Sequence, residues 1–439
     1  MALINALKLF SLRDEGGKGR AALMFSAVSD MLILQLTGGI FYTGFLVGYD
    51  FDIVNIGVLT FIPFLANIFG VPLTPLVLRR FKKRKAVITI ARTSYYLINI
   101  LGITLLPMFV TGSAARLGWM AAIIFVSNLV NTISVAGYNA WYINYLPEHV
   151  RADYFSISQF LSYFIPGILI LVSGALADSL TGSPHQMIII IALRYVALAV
   201  GLLNVIVLAL PKEQPYSETE TARITEILTT PLRNRPFMLT MLMVFIWQFS
   251  LNAYSSLFTV YLLNDIGVSY LFYNIIIATY SLFFIFFSGF WKRWISRTSW
   301  FGVYGVTMLI NIPAQFALAF VSPSNYVPLM LATRYTQHFI GIGQNVSYAN
   351  FQYIFIPEGD RITYTSFYQL TLNAGNFAGL AFGTAFLALL PDFSMNIFGI
   401  TLGGVPFLVM VNAAASAVLA PLSFWMARRY ETRERAASE

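Results

Sequence analysis

Four charged side chains stand inside stretches that are otherwise apolar: Asp30, Arg92, Arg194 and Arg334. An unpaired charge in hydrocarbon costs from about 2.5 kcal/mol upward, so each needs a partner or a task. A carboxylate in such a place is driven toward its neutral form by desolvation and held ionised by a nearby guanidinium. Asp30 is therefore the candidate for taking up and releasing a proton. Arg334 can hold a polar or anionic solute, or pair with Asp30. His338, one turn further on, is of the residue type that titrates near neutrality, and it reads equally well as a structural histidine. Arg92 lies only seven residues beyond Lys85 and can snorkel to the membrane surface. Arg194 reads as structurally partnered.

Around these charges run polar stripes at helical spacing. One stripe holds Asn128, Asn131, Tyr138, Tyr142 and Tyr145; another holds Arg334, His338, Asn345 and Tyr348. Ser26, Asp30 and Thr37 share a face, as do Gln248, Asn252, Ser255 and Thr259. Any single Asn or Ser is explained by interhelical hydrogen bonding. Four stripes on every third apolar span point instead to a shared water-filled cavity. The candidate solute-binding residues are Asp30, Asn131, Tyr138, Gln248, Asn252, Arg334, His338 and Asn345, with Asp30 also the proton-coupling group. By residue count Asp30 and Arg334 differ in depth by roughly 6 Å in a core about 30 Å thick. That predicts an Arg334 that engages Asp30 and a solute in turn, with a static pair holding two helices in register as the competing reading.

The elements that position these residues are membrane spans. Hydrophobic residues make up 58% of the chain, charged residues 10%, and mean hydropathy is +0.71. A soluble domain averages roughly 25% charged residues, so this chain cannot cover itself with a water-facing surface. Apolar stretches of bilayer-spanning length are expected near 21–47, 53–78, 86–110, 118–146, 155–178 and 187–210, then 237–263, 269–290, 299–321, 327–356, 364–390 and 397–426. The expected fold is an all-α membrane protein of twelve transmembrane helices in two pseudo-symmetric six-helix bundles, 1–210 and 237–439, joined by a linker at 211–236. Of 27 Lys and Arg, 23 fall on one face of this arrangement, which predicts that both termini are cytoplasmic. The net charge of +8 is then topology and requires no nucleic-acid partner. The leader carries Leu3, Ile4, Leu7 and Phe10 at helical spacing and reads as an interfacial helix or an unstructured tail; the linker, with Ile224, Ile227 and Leu228 at helical spacing, reads as a short helix on the inner membrane surface or a flexible tether. There is no cysteine and only three histidines, so no metal cluster or cofactor is expected. No phosphate-cradling glycine motif is present, which argues against an ATP-driven pump.

The chain also repeats itself. Tyr138 to Gln159 aligns without a gap on Tyr348 to Gln369, with Pro147/Pro357, Glu148/Glu358, Arg151/Arg361 and Tyr154/Tyr364 shared at an offset of 210. The basic loop at Lys82-Lys83 meets Lys292-Arg293 at the same offset. These repeated charges form an expected inner gate of Arg80, Lys83, Glu148, Arg151, Lys292, Arg293, Glu358 and Arg361. When the cytoplasmic side closes, Glu148 should pair with the 79–85 basic run and Glu358 with Lys292 or Arg293, each worth about 0–1 kcal/mol. Gly375, Gly379 and Gly383 form a small-residue face that should admit another helix closely.

Two six-span halves, a basic loop after spans 2 and 8, and Pro-Glu-x-x-Arg after spans 4 and 10 resemble the major facilitator superfamily over essentially the whole chain. In that family spans 1, 4, 7 and 10 line a central cavity. The loop Leu78-Arg79-Arg80-Phe81-Lys82-Lys83-Arg84-Lys85 keeps the family's basic run but lacks its aspartate and glycine. Neither the drug/proton antiporter element nor the sugar-porter element is present. The resemblance implies a monomeric, multi-pass secondary transporter of a bacterial cytoplasmic membrane. It would work by alternating access on a small-molecule substrate, with a proton as possible co-substrate and the lipid bilayer as its other partner. Amide- and hydroxyl-rich stripes favour a small polar metabolite, a sugar or an organic anion, over a lipophilic drug. A drug exporter of the same fold, and an integral membrane enzyme or lipid-moving protein, are the alternatives; no catalytic cluster supports an enzyme.

Overall fold

The computed structural model describes residues 10–78, 80–81, 84–146, 148–183, 185–213, 224–357 and 361–431. Long helices dominate them. In chain order they are α1 (Glu15–Val47), α2 (Ile53–Leu78), α3 (Arg84–Phe109), α4 (Ser113–Tyr145), α5 (Glu148–Asp178), α6 (His185–Ala209), α7 (Arg235–Ile266), α8 (Tyr270–Arg297), α9 (Trp300–Leu318), α10 (Tyr326–Asn350), α11 (Arg361–Leu389) and α12 (Gly404–Tyr430). Among the described residues 11 helices are long and apolar enough to cross a membrane. The helix outside that set is α10, whose face of Arg334, Gln337, His338, Gln344 and Asn345 dilutes its apolar surface. The leader helix expected over Leu3–Phe10 lies largely outside the described residues. A short helix does form in the linker, at Ile224–Thr229, with Ile227 buried.

Local chemistry explains the breaks. α1 kinks at Gly38-Gly39, where Gly39 takes φ +52°, a left-handed conformation that a Cβ disfavours. Asp14 caps α1 by accepting from the Gly17 N–H at 2.7 Å, and that bond holds its carboxyl below the usual carboxylate range. One expected boundary is corrected. The last span was placed from 397, but residues 394–403 form an antiparallel hairpin, β1 (Ser394–Ile397) and β2 (Ile400–Gly403), and α12 starts only at Gly404. Phe398 and Gly399 both turn with positive φ, and Asn396 Oδ1 accepts the Gly399 N–H, which is hairpin chemistry hidden inside an apolar run.

The chain divides into two compact units. The first is Met1–Phe51, Leu65–Thr221 and Ser269–Ala278; the second is Asp52–Phe64, Ala222–Val268 and Thr279–Glu439. In the first, α1 packs on α5 and α6, and α3 on α4 and α6. In the second, α7 packs on α11 and α12, and α9 on α10 and α12. These four pairings of one unit are those of the other displaced by six helices, as expected of a duplicated sequence. The glycine face of α11 lies on α7, where Gly375, Gly379 and Gly383 meet Phe245, Phe249 and Ala253.

Within the first unit the start of α8 is held by a carboxylate from another helix. Asp178, the last residue of α5, accepts from the Tyr270 N–H at 2.9 Å and the Leu271 N–H at 2.7 Å, while Ser269 Oγ accepts from Phe272 N–H at 3.1 Å. These are three of the amides that a helix start leaves unpaired, and a negative charge is favoured there. Asp178→Ala should therefore cost about 1–2 kcal/mol of stability. The check is a melting curve of the purified protein, in which an unchanged midpoint would show the cap to be dispensable.

Candidate functional site

Three helices of the first unit bring polar groups together. α1 supplies Asp30, α3 supplies Arg92 and Tyr96, and α6 supplies Asn204. The Arg92 guanidinium forms an ion pair with Asp30 through Nη2. The Tyr96 hydroxyl donates to Asp30 Oδ1 at 3.0 Å and accepts from Arg92 Nε at 3.1 Å. Asn204 Nδ2 donates to the same Oδ1 at 3.0 Å and to the Tyr96 hydroxyl at 3.2 Å. Gly201, one turn before Asn204, leaves room for the Tyr96 ring, which a Cβ there would meet at 3.0 Å. Tyr138 of α4 closes the cluster, its ring centroid 4.9 Å from the Arg92 guanidinium.

Burial divides the pair unequally. The Arg92 side chain is 7% exposed and that of Asp30 is 40% exposed. The snorkelling expected of Arg92 does not occur. Turning inward gives the guanidinium a carboxylate, a tyrosine hydroxyl and two aromatic faces, which together outweigh contact with water at the membrane surface. Asp30 has a guanidinium of its own unit, that of Arg92, as its ion-pair partner. Arg194 is buried, donates from Nε to Thr104 Oγ1 at 2.8 Å, and sits 4.5 Å from the Phe45 ring centroid. Asn131 is half-buried on α4, and Asn128 turns back to the Ile124 carbonyl at 2.8 Å.

The candidates of the second unit form neutral contacts. Gln248 donates to the Tyr348 hydroxyl at 2.9 Å, and Asn252 to Asn376 Oδ1 at 2.8 Å. The exposed Asn345 donates to the Tyr280 hydroxyl at 3.0 Å. Arg334 donates to Gln337 Oε1 at 2.9 Å and lies 5.4 Å from the Phe258 ring centroid; no ion pair to it is present among the described residues. His338 is ringed by Tyr280, Phe283 and Tyr335, with centroids 5.4, 5.7 and 6.1 Å away.

The helices equivalent to α1, α3 and α6 are α7, α9 and α12, and they too are tied by buried polar groups. Asn311 of α9 donates to Asn412 Oδ1 at 3.1 Å and Ser416 Oγ at 2.9 Å on α12, and Asn412 donates to Ser250 Oγ of α7 at 3.0 Å. That junction carries no charge.

Of the inner-gate residues, Arg80, Lys292 and Arg293 are exposed. Glu148, Arg151 and Arg361 stand in the first turns of α5 and α11, with side chains outside the described residues, as are Lys83 and Glu358 altogether. Sequence reasoning missed Tyr96, Asn204 and Tyr280. Two signals were present: Tyr96 is one turn from Arg92, and Asn204 is a lone amide in an otherwise apolar run.

The sequence model of the Major Facilitator Superfamily matches residues 23–380. None of the curated proteins matches the sequence. Solved structures of similar fold include a point variant of the nucleoside transporter NupG, with TM-score 0.68 at 14% identity, covering 93% of this chain and 99% of that one. A bacterial homologue of the iron transporter ferroportin in an inward-facing state has TM-score 0.65 at 14% identity, over 95% and 100% of the two chains. A D-xylose–proton symporter has TM-score 0.62 at 12% identity, over 92% and 96%.

Proposed function

Because this chain belongs to the major facilitator superfamily, a family of membrane transporters, we propose that it is a secondary carrier that moves a small polar solute, a sugar or an organic anion, by alternating access, with proton movement coupled through Asp30. The observation that carries the reading is the contrast between the two three-helix junctions. Ser250, Asn311 and Asn412 tie α7, α9 and α12 with neutral groups, so a junction of this kind needs no ion pair to hold. The first unit nonetheless keeps Asp30 and Arg92 there, with the carboxylate 40% exposed. Charge that the architecture does not require is best explained by function. Nucleoside and xylose–proton carriers of the same fold are consistent with a polar cargo.

The experiment is transport in reconstituted vesicles, after a thermal-shift screen of sugars, nucleosides and organic acids has identified the cargo. Expected are saturable uptake, trans-stimulation and accumulation driven by a pH gradient. Asp30→Asn, assayed below its melting temperature, should lose the gradient-driven accumulation and keep exchange. Uptake linear in concentration without trans-stimulation would identify a channel and overturn the reading.

We extend the proposal to topology: α10 spans the membrane with the other eleven helices, both termini face the cytoplasm, and the bundles are 1–210 and 237–439. The chain has no cysteine, so single introduced thiols report cleanly. Cysteines at Ser183 and Ser324 should react with an impermeant reagent from outside and one at Ser217 only from inside; the reverse pattern would invert the topology.

A further inference from the structure

Arg92 is a buried cation whose one ionic partner among the described residues is a carboxylate that is not itself buried. Its other contacts among the described residues are neutral. They are the Tyr96 hydroxyl, the Ser26 Oγ at 3.5 Å, and the ring faces of Tyr138 and Tyr96 at 4.9 and 5.8 Å. Arginine does not give up its proton in a protein, so the charge on Arg92 must always be met. If Asp30 is protonated during the cycle, that charge loses its counterpart unless another anion arrives.

The surroundings are shaped for a carboxylate oxygen. Three donors from two helices, Arg92 Nη2, the Tyr96 hydroxyl and Asn204 Nδ2, converge on Asp30 Oδ1. Asn204 is fully buried and its own Oδ1 has no hydrogen-bond partner among the described residues. Rotation of that amide would present an acceptor to a newly protonated Asp30, so one side chain can serve both protonation states. The groups that face the pair are Ser26 on α1, Tyr95 and Tyr96 on α3, Tyr138 on α4 and Asn204 on α6, and none of these is acidic.

We propose that Arg92 is a carboxylate-binding site shared between Asp30 and the cargo, and that the cargo is a small organic monoanion. The inference deepens the transport reading of this cluster. In the exchange one proton moves onto an Asp30 oxygen, one anionic carboxylate takes its place on Arg92, and Arg92 keeps its proton throughout. The cluster is neutral before and after, so proton and monoanion travel together without net charge. The exposed side of Asp30 is the path by which the incoming carboxylate reaches the guanidinium.

The test supplies the missing carboxylate from solution. In Asp30→Ala the guanidinium is present and the space of the carboxylate is vacated. Sodium formate at constant ionic strength, with sodium chloride as balance, should raise the melting temperature of this variant saturably, by roughly 2 °C at tenfold above the formate dissociation constant. The wild type, whose site is filled by Asp30, and the double variant D30A/R92M should show no such rise. A flat response in Asp30→Ala, or an equal response in D30A/R92M, would overturn the site. The readout is binding and not transport. A positive rescue with no proton-driven uptake would therefore leave the carboxylate site standing and remove the coupled-carrier reading.

Discussion

Gly383→Ala should lower the stability of the protein by about 2–3 kcal/mol, and Gly379→Ala should act similarly. A Cβ added at Gly383 would fall inside van der Waals contact with the Ala253 carbonyl oxygen, and one at Gly379 would do the same at the Phe249 carbonyl. Both obstacles are backbone, so no rotamer change relieves them. α11 would have to withdraw from α7, giving up the close packing that stands in for a hydrophobic driving force between helices in lipid. Gly375 is a graded control. Its nearest would-be contacts, Gln248 Cβ at 3.0 Å and the Phe245 carbonyl at 3.1 Å, are looser, so alanine there should cost less. Melting midpoints in detergent decide the matter. Equal midpoints for all three variants and the wild type would mean that α11 and α7 are not held at glycine distance.

The second large effect is an asymmetry between the partners of one ion pair. Asp30→Asn should cost about 3 kcal/mol, toward the lower end for breaking a buried pair because the carboxylate is partly exposed. What it leaves behind is the expensive group, a guanidinium only 7% exposed. Arg92→Met should cost less, since the group left behind, a carboxylate 40% exposed, is the less buried of the two. The double variant D30N/R92M should be more stable than Asp30→Asn alone, because it removes the uncompensated charge. A double-mutant cycle on thermal stability measures all three terms. If Arg92→Met proves the more damaging single change, the guanidinium is chiefly a packing element and the charge argument fails.

Several features of this protein follow from its sequence alone. Composition excludes a water-facing surface, and the constant offset of 210 residues between Pro147-Glu148 and Pro357-Glu358 implies equivalent packing in two halves. Four helix pairings recur in the two units. The close approach at Gly375, Gly379 and Gly383 was legible for the same reason. Helical periodicity places small residues on one face, and such a face has few uses other than contact. Periodicity could not name partners. It gives the face that Asp30 occupies on α1, but which guanidinium that face meets depends on the rotation and order of packed helices. Depth by residue count pointed to Arg334 and left Arg92 to snorkel; the packing of α1 and α3 with α6 instead turns Arg92 onto Asp30 and adds Tyr96 and Asn204. The hairpin at 394–403 was hidden likewise, because an apolar run reads as helix until positive φ at Phe398 and Gly399 turns the chain back on itself. Pattern along one chain sets what each face can tolerate, and three-dimensional packing decides which groups meet across it.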